Sequence, residues 1–441
     1  MVPEQSLPRR WSPVIAVSLA VALALVLAGP AAARGRLLGL VARTVPAAGL
    51  SDTVPPPRAA APAAASGNVS YQGGPVMHAH QTFLIFWDPG QALTADFKSR
   101  VARYLTDVGQ DSGTQTNVYA VPTEYGDASG SVGYRSSFGG AYTDTSPVPL
   151  SSCSQGGLNL FPAPCLTDAG IQAEIATDLR ANGWSPGLDR AYFLLTPAGL
   201  ESCSDTTSGL CSTNAFCAYH SQLDPAAYPS YPDTDPVVYG YIPWGAVSGC
   251  QAPQSPNGSD ADATVNLMSH EHIEMLTDPI VDQPAWTDPD GTEIADKCRT
   301  SYAPVSGAPG TEYNQTINGD RYILQNEWSN AHGACIQRAA ANQPPVPAFT
   351  AATADGLQFS FDGSASTDPD GRVLSYAWDF GDGQSASTPQ VSHAYAGSGT
   401  RTVTLTVTDN AGGSGLAAQI VQVGSPSPPT TTPPPPTTTP P

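Results

Sequence analysis

The chain has 441 residues, a formal net charge of −20 and only 13% charged residues, with 44 prolines and 42 glycines. This length predicts two or three domains, and the proline and glycine content predicts long loops and linkers. Lys98 and Lys297 are the only lysines. Nucleic acids and anionic membranes require clustered basic side chains, so the composition argues against both as partners. Acidity suits solubility and divalent cations.

The N-terminus has the pattern of an export signal. The pair Arg9-Arg10 precedes an apolar run, Val14–Leu27, and a cluster of alanines follows that run. A charged start, a short apolar segment and small residues are typical of a secretory signal peptide. We therefore expect residues 1–33 to be a signal peptide and the mature protein to be secreted, without a stable membrane span. An uncleaved anchor is the alternative, although about 14 apolar residues make a short span.

The cysteines agree with export. All eight lie between Cys153 and Cys335, and an even number confined to one region of an exported chain predicts up to four disulfides. Pairing of neighbours suggests Cys153–Cys165 and Cys298–Cys335. No tight Cys-x-x-Cys pair occurs, which disfavours a zinc site made of cysteines.

Residues 34–66, rich in Ala, Pro and Arg, are expected to be a linker or a pro-segment. The next region, 67–341, begins with a buried-strand pattern at Thr82–Trp87 that ends at Asp88-Pro89-Gly90. Apolar residues then recur with helical spacing in two places, Phe97, Val101, Tyr104, Leu105 and Val108, and Ile171, Ile175 and Leu179 before Gly183. Further strand-like runs occur at 191–195, 237–242 and 322–324. The region is predicted to be a mixed α+β domain.

A third predicted helix carries the candidate metal-binding and catalytic residues. It is predicted over Ala263–Thr277 and ends at Asp278-Pro279. His270 and Glu274 stand one turn apart, so both can bind one Zn²⁺, and Glu271 is then placed to act as the general base. This His-Glu-x-x-Glu pattern is related to the His-Glu-x-x-His of zinc peptidases. The alternative is a solvated, charged helix face that binds nothing.

His272 lies on a different face of the same helix, roughly 200° from His270 at ~100° per residue. We expect it to be a packed or hydrogen-bonded histidine and not a ligand.

Several short stretches occur in an order that resembles one family of exported proteins. They are Tyr71–Met77, Phe216–His220, Ser269–Glu274, Glu293–Cys298 and Trp328–Cys335. Their order is similar to that of the EXORDIUM / phosphate-induced protein 1 family and its bacterial relatives, over residues 70–337. The resemblance implies an extracellular location and a zincin-like helix, and it implies no substrate. The expected fold is therefore an α+β, zincin-like, disulfide-rich domain.

Zinc in a catalytic site takes three protein ligands and one water, and the helix supplies only two. His220 is our first expectation for the third ligand, because it follows Cys217 by three residues and a disulfide could hold it in place. Asp296, two residues before Cys298, is the second, and Glu327 is the third. A surface-loop role for His220 and a turn-capping role for Asp296 remain open.

The segment 344–424 differs in sequence pattern from the first domain. It contains no cysteines, and apolar and polar residues alternate with period two between turns. The motifs that stand out are Ser360–Ser364, Asp368–Gly371, Tyr376–Gly383, His393–Tyr395 and Val403–Asp409. They resemble the PKD (polycystic kidney disease) domain, which implies an immunoglobulin-like β-sandwich with Trp378 in its core and an adhesive or spacer role. Its Asp-rich turns either only form turns or also bind Ca²⁺. Residues 425–441 are expected to be a stiff Pro/Thr-rich tail.

These observations predict a secreted, monomeric zinc-dependent hydrolase, in first place a metallopeptidase, that acts on a protein or on a cell-wall or matrix polymer. Glu271 is the expected base, and the metal ligands are expected among His270, Glu274, His220 and Asp296. Two alternatives stay open: a non-catalytic extracellular protein that binds such polymers, and a domain with a purely structural metal. Neither a Gly-x-Ser-x-Gly elbow nor a Gly-Lys-Ser/Thr phosphate loop occurs in the sequence.

Overall fold

A computed structural model describes residues 67–154, 163–223, 235–339, 343–353, 355–369, 372–409 and 413–424. The expected signal peptide, the Ala/Pro-rich segment up to residue 66 and the tail from residue 425 lie outside the described residues. Among the helices of the described ranges, none is both long enough and apolar enough to cross a membrane.

The first domain is built on a five-stranded sheet. Its strands in chain order are β1 (His80–Trp87), β2 (Ser136–Asp144), β3 (Arg190–Leu195), β4 (Tyr219–Gln222) and β5 (Val238–Ile242). Their spatial order is β4-β5-β3-β1-β2. Four strands run parallel, and β4 pairs antiparallel with β5 at one edge. Because β1 and β3 lie inside the sheet with both faces covered, nearly all of their residues are buried and most are apolar.

Three helices cover the sheet: α1 (Ala95–Gln110), α2 (Asp168–Asn182) and α3 (Ala261–Thr277). Apolar residues of α1 and α3 share one core with one face of the sheet, and those of α2 share a second core with the other face. The predicted helices are confirmed, including the end of α2 at Gly183, whose left-handed φ of 67° suits glycine. Two short 3₁₀ helices span Val118–Glu124 and Asp296–Cys298.

Short strands outside the main sheet form four pairs and one group of three among the described residues of this domain. They are Ser70–Tyr71, Gly126–Asp127, Gly130–Ser131, Ser151–Cys153, Ala163–Thr167, Ser202–Cys203, Trp286–Thr287, Gln315–Ile317, Asp320–Tyr322, Glu327–Ser329 and Ala334–Ile336. The predicted strand at 322–324 is wrong beyond Tyr322. The Asn314 side chain bonds both the N–H and the C=O of Leu324, at 2.9 and 2.7 Å, and so replaces a strand partner there.

All eight cysteines are paired, which makes this a disulfide-rich mixed α/β domain. The bonds are Cys153–Cys165, Cys203–Cys211, Cys217–Cys250 and Cys298–Cys335. Both pairings expected from the sequence are confirmed.

The second described domain is a β-sandwich. Its strands are β6 (Thr350–Thr353), β7 (Gln358–Asp362), β8 (Val373–Asp379), β9 (Ser385–Ala386), β10 (Gln390–Ala394), β11 (Gly399–Asp409) and β12 (Ser414–Val423). One sheet has the order β6-β7-β10 and the other β9-β8-β11-β12. Trp378 is 2% exposed in the core, as predicted, and its indole N–H donates to the Thr388 carbonyl at 2.8 Å.

Candidate metal centre

The helix α3 is buried on every side. His270, Glu271 and Glu274 are all 0% exposed, so the alternative of a solvated, charged helix face is wrong. The helix lies against α1 and against strands β4 and β5. Its charged side chains therefore need partners inside the protein, because an isolated buried charge costs several kcal/mol, about the stability of a small domain.

His270 is oriented by a neighbouring amide. Its Nδ1 lies 2.9 Å from Gln325 Oε1. The Gln325 side-chain NH₂ is already used, because it donates to the Ala295 carbonyl at 2.9 Å. The hydrogen-bond network thus assigns the proton of neutral His270 to Nδ1 and leaves the lone pair on Nε2, the arrangement that a metal-binding histidine requires.

The His270 Nε2 atom faces two carboxylates. It lies 3.2 Å from Glu274 Oε1 and 3.6 Å from Asp296 Oδ1. The Asp296 backbone N–H donates to Glu274 Oε1 at 3.0 Å, which holds the two acidic residues together. One ligand atom from each of the three residues lies within 4.8 Å of the other two. Asp296 is followed by the disulfide-bonded Cys298, so the segment that carries it is covalently fixed.

A second group lies on the other side of Glu274. His220, on the edge strand β4, has Nδ1 3.2 Å from Glu271 Oε2 and 3.6 Å from Glu274 Oε2. Its Nε2 lies 3.2 Å from the Asp278 carbonyl oxygen and 3.6 Å from Glu293 Oε1. The three other residues expected to bind metal, His270, His220 and Asp296, thus all lie around Glu274. His220 and Asp296, however, belong to two different groups of potential ligands.

Three further residues of this centre received no role, or a minor one, in the sequence analysis. Glu293 and Glu327 are both 0% exposed, and none of their carboxylate oxygens has a hydrogen-bond partner. Glu327, ranked third as a ligand, begins the strand Glu327–Ser329. Glu293 could have been suspected from its position three residues before Asp296. No sequence signal indicated Gln325, which reaches the helix from 55 residues away in the chain.

The centre is strongly acidic. Of the described residues, no lysine or arginine forms a salt bridge with its carboxylates. Burial opposes the charged form of His270, but the carboxylates of Glu274, Glu271 and Asp296 hold its pKa well above the ordinary value. Burial also raises the pKa of Glu293 and Glu327 well above the usual range. Without a metal, therefore, protons supply the missing positive charge.

The residues present fit a metal ion. His270 Nε2, Glu274 Oε2 and Asp296 Oδ1 are buried atoms that make no hydrogen bond. Of these atoms, His270 Nε2 and Asp296 Oδ1 lie 3.6 Å apart, whereas Glu274 Oε2 lies 3.6 Å from His220 Nδ1. Buried polar atoms in proteins are nearly always partnered, so these unpartnered atoms need another explanation. A divalent cation would take up their lone pairs and would also balance their charge. One imidazole with two carboxylates is a donor set that Zn²⁺ accepts.

His272 is separate from this centre. Its Nδ1 lies 2.8 Å from the Tyr119 hydroxyl, and its ring contacts His80 edge-on, with the ring centroids 4.7 Å apart. The expectation of a packed and hydrogen-bonded histidine is confirmed.

Comparisons with known proteins concern the second domain. Residues 342–423 match the family model of the PKD domain. Collagenase ColA of Clostridium perfringens is 41% identical over 66 residues, which are 15% of this chain and 6% of that protein. The pre-pro-metalloprotease PrtV of Vibrio cholerae is 41% identical over 64 residues, 14% of this chain and 7% of that protein.

A solved PKD1 domain of Vibrio anguillarum Epp is 45% identical and covers 19% of this chain and 99% of its own, with a TM-score of 0.19. The curated relatives match only in the PKD part, so this chain spans only 6 to 7% of the length of the two named above. The resemblance found in the sequence is confirmed for this segment: residues 342–423 are a PKD domain.

Proposed function

We propose that the first domain is a secreted zinc-dependent hydrolase, in first place a metallopeptidase, joined to a PKD module that acts as a spacer or adhesive. One observation carries the proposal: one ligand atom from each of His270, Glu274 and Asp296 lies within 4.8 Å of the other two, and the buried His270 Nε2 and Asp296 Oδ1 have no hydrogen-bond partner. Glu271 follows His270 on α3. We include in this proposal that the first domain is related to the EXORDIUM family and that α3 is a zincin-like helix. The collagenases and the metalloprotease that share the PKD part support a protein substrate.

His270, Glu274 and Asp296 would hold the metal, with Gln325 keeping His270 Nε2 free of a proton. A bound zinc ion would supply Lewis acidity, which lowers the pKa of a water to near ~7 and polarises a carbonyl. In this assignment Asp296 is the third ligand, ahead of His220. The geometry favours it because Asp296 lies on the His270 side of Glu274, whereas His220 lies on the Glu271 side.

Glu271 is suited to move a proton. Its Oε2 lies 3.2 Å from His220 Nδ1, and its Oε1 is buried without a hydrogen-bond partner. Burial raises the pKa of Glu271 to about 8 in the metal-free protein. A general base works best with a pKa near the working pH. Glu271 Oε1 would take a proton from the attacking water and return it to the leaving amine, while His220 fixes the orientation of the carboxylate.

A purely structural metal site is the second candidate, and burial favours it. His270 and Glu274 are closed to solvent, and among the three proposed ligands only the Asp296 side chain is measurably exposed, at 18%. Structural zinc sites are closed, whereas catalytic ones keep a position open for water. In that case the metal stabilises the domain, and the extracellular role would rest on polymer binding, with the PKD domain contributing to it.

A Glu271→Gln variant separates the candidates. It keeps the shape of the side chain and all three proposed ligands, so it should bind as much zinc as the wild type. Its cleavage of casein or gelatin should fall by a factor of ~10² to 10⁴, the usual contribution of a general base. An Asp189→Asn variant, altered at an exposed carboxylate, is the control and should keep full activity. Cleavage by Glu271→Gln at the wild-type rate would refute Glu271 as base, and no cleavage by the zinc-loaded wild type would favour the structural site.

A further inference from the structure

A second carboxylate cluster lies at the C-terminal end of the parallel strands, and it shares no residue with the centre around Glu274. Asp144 is the last residue of β2, and Glu174 and Asp178 stand one turn apart on α2. Residues four apart on a helix point the same way. One carboxylate oxygen from each of the three residues lies within 4.8 Å of the other two.

Two of the three carboxylates are buried, and no described lysine or arginine compensates their charge. Asp178 is 2% exposed and Asp144 is 8% exposed, and Asp178 Oδ2 has no hydrogen-bond partner although it is buried. Across the described ranges, no lysine or arginine forms a salt bridge with any of the three carboxylates. Three carboxylates this close repel one another unless protons or a cation lie between them.

The hydroxyl of Ser146 shows the same deficit of positive charge. Its Oγ lies 2.8 Å from Asp144 Oδ2 and 2.9 Å from Glu174 Oε1, and a hydroxyl has only one hydrogen to donate. Ser146 can therefore donate to only one of the two oxygens, and the other contact has no hydrogen unless a carboxyl group is protonated. Burial raises the pKa of Glu174 to about 8 and that of Asp178 to about 7 in the ion-free protein. The Ser146 backbone N–H donates to Asp144 Oδ1 at 2.8 Å, which fixes this carboxylate in place.

We propose that Asp144, Glu174 and Asp178 bind a calcium ion. Ca²⁺ takes six to eight hard oxygen ligands, of which carboxylates are the preferred protein donors. Glu174 is only half-buried, so waters can complete the coordination from its side. The ion ties α2 to the end of β2 and replaces the protons that the carboxylates otherwise share. This site is independent of the proposed zinc centre and of any hydrolytic activity.

Melting of the full chain with and without CaCl₂, at a fixed zinc content, tests the proposal. Saturating Ca²⁺ should raise the melting temperature of the first domain by ~2 to 8 °C, as a ligand that binds only the folded state does. Asp178→Asn should melt higher than the wild type without Ca²⁺, because one repelling charge is gone, and should lose the response to Ca²⁺. A residue that only packs would lower the melting temperature instead.

Glu174→Gln gives the same readout at a half-buried position, should Asp178→Asn fold poorly. Asp189→Asn makes the same charge change at a carboxylate that is 64% exposed, and it should respond like the wild type. The His270→Ala/Glu274→Ala variant should also keep the response. A wild-type response in both Asp178→Asn and Glu174→Gln would overturn the proposal, as would a response lost only in the His270→Ala/Glu274→Ala variant.

Discussion

His220 Nδ1 lies 3.2 Å from Glu271 Oε2, so the edge strand of the sheet directly contacts the carboxylate that we propose as the base. Strand β4 runs antiparallel to its neighbour, and its pairing of His220 with Gly240 fixes the histidine beside the helix. His220, which the sequence suggested as a metal ligand, is therefore proposed to orient the base Glu271 for proton transfer.

We predict that His220→Gln keeps its zinc and lowers kcat by a factor of ~10 or more, with little change in KM. The reason is that His220 lies nearest to Glu271, at 3.2 Å, and farther from the proposed ligand Glu274, at 3.6 Å. Zinc content and steady-state kinetics of the same preparation check this. Loss of zinc from His220→Gln would instead indicate that His220 is a ligand. The sequence analysis ranked His220 ahead of Asp296 in this role.

Gln325 should control metal affinity without touching the metal. Gln325→Leu removes the acceptor that keeps the proton on His270 Nδ1. Loss of such a supporting hydrogen bond typically weakens metal binding by ~10 to 100-fold. Competition with a chromophoric chelator measures the affinity. The adjacent Asn326→Ala is the control, because the Asn326 amide donates to Ser301 and not to the centre. Equal zinc affinity in Gln325→Leu and the wild type would contradict the assigned role.

His80 should make the first domain sensitive to acid. Its ring is 1% exposed and both ring nitrogens lack hydrogen-bond partners, and burial lowers its pKa to about 3. Above pH ~6.5 the histidine is neutral in both folded and unfolded chains and contributes no pH dependence. Below that value only the unfolded chain takes up the proton, so stability falls as the pH falls toward 3.

The corresponding measurement compares urea unfolding of the wild type with that of His80→Phe. The free energy of unfolding of the wild type, relative to the variant, should fall by at most about 1.4 kcal/mol per pH unit between pH ~6 and ~4. The comparison removes the contribution of the acidic centre, which both proteins share. Parallel curves for the two proteins would show that His80 does not remain neutral in the folded state.

The sequence predicted those parts of the molecule that depend on local patterns. Helical spacing located α3, and the four-residue separation placed His270 and Glu274 on one side of it. Alternation and turn motifs located the PKD sandwich and its core tryptophan, Trp378. Each of these features is determined by residues close together in the chain.

The surroundings of α3 could not be predicted in this way. Charged side chains on a helix are mostly exposed to solvent, so a charged helix face predicts a solvated one. In this protein the partners that bury that face come from distant segments. Glu293, Gln325 and Glu327 reach the helix through loops and short strands whose paths depend on tertiary packing and on the disulfide Cys298–Cys335. The choice between His220 and Asp296 likewise depends on which side of Glu274 each residue lies.

The most direct test of the central claim is the zinc content of the purified, oxidised full chain after dialysis against zinc-replete and then zinc-free buffer. We predict about one zinc ion per chain in the wild type and in the Asp189→Asn control, as expected for a three-ligand site. The His270→Ala/Glu274→Ala variant and an Asp296→Asn variant should lose most of it while retaining a folded PKD domain. A folded wild type that retains no zinc, or a double variant that retains as much as the wild type, would contradict the assignment of the metal centre.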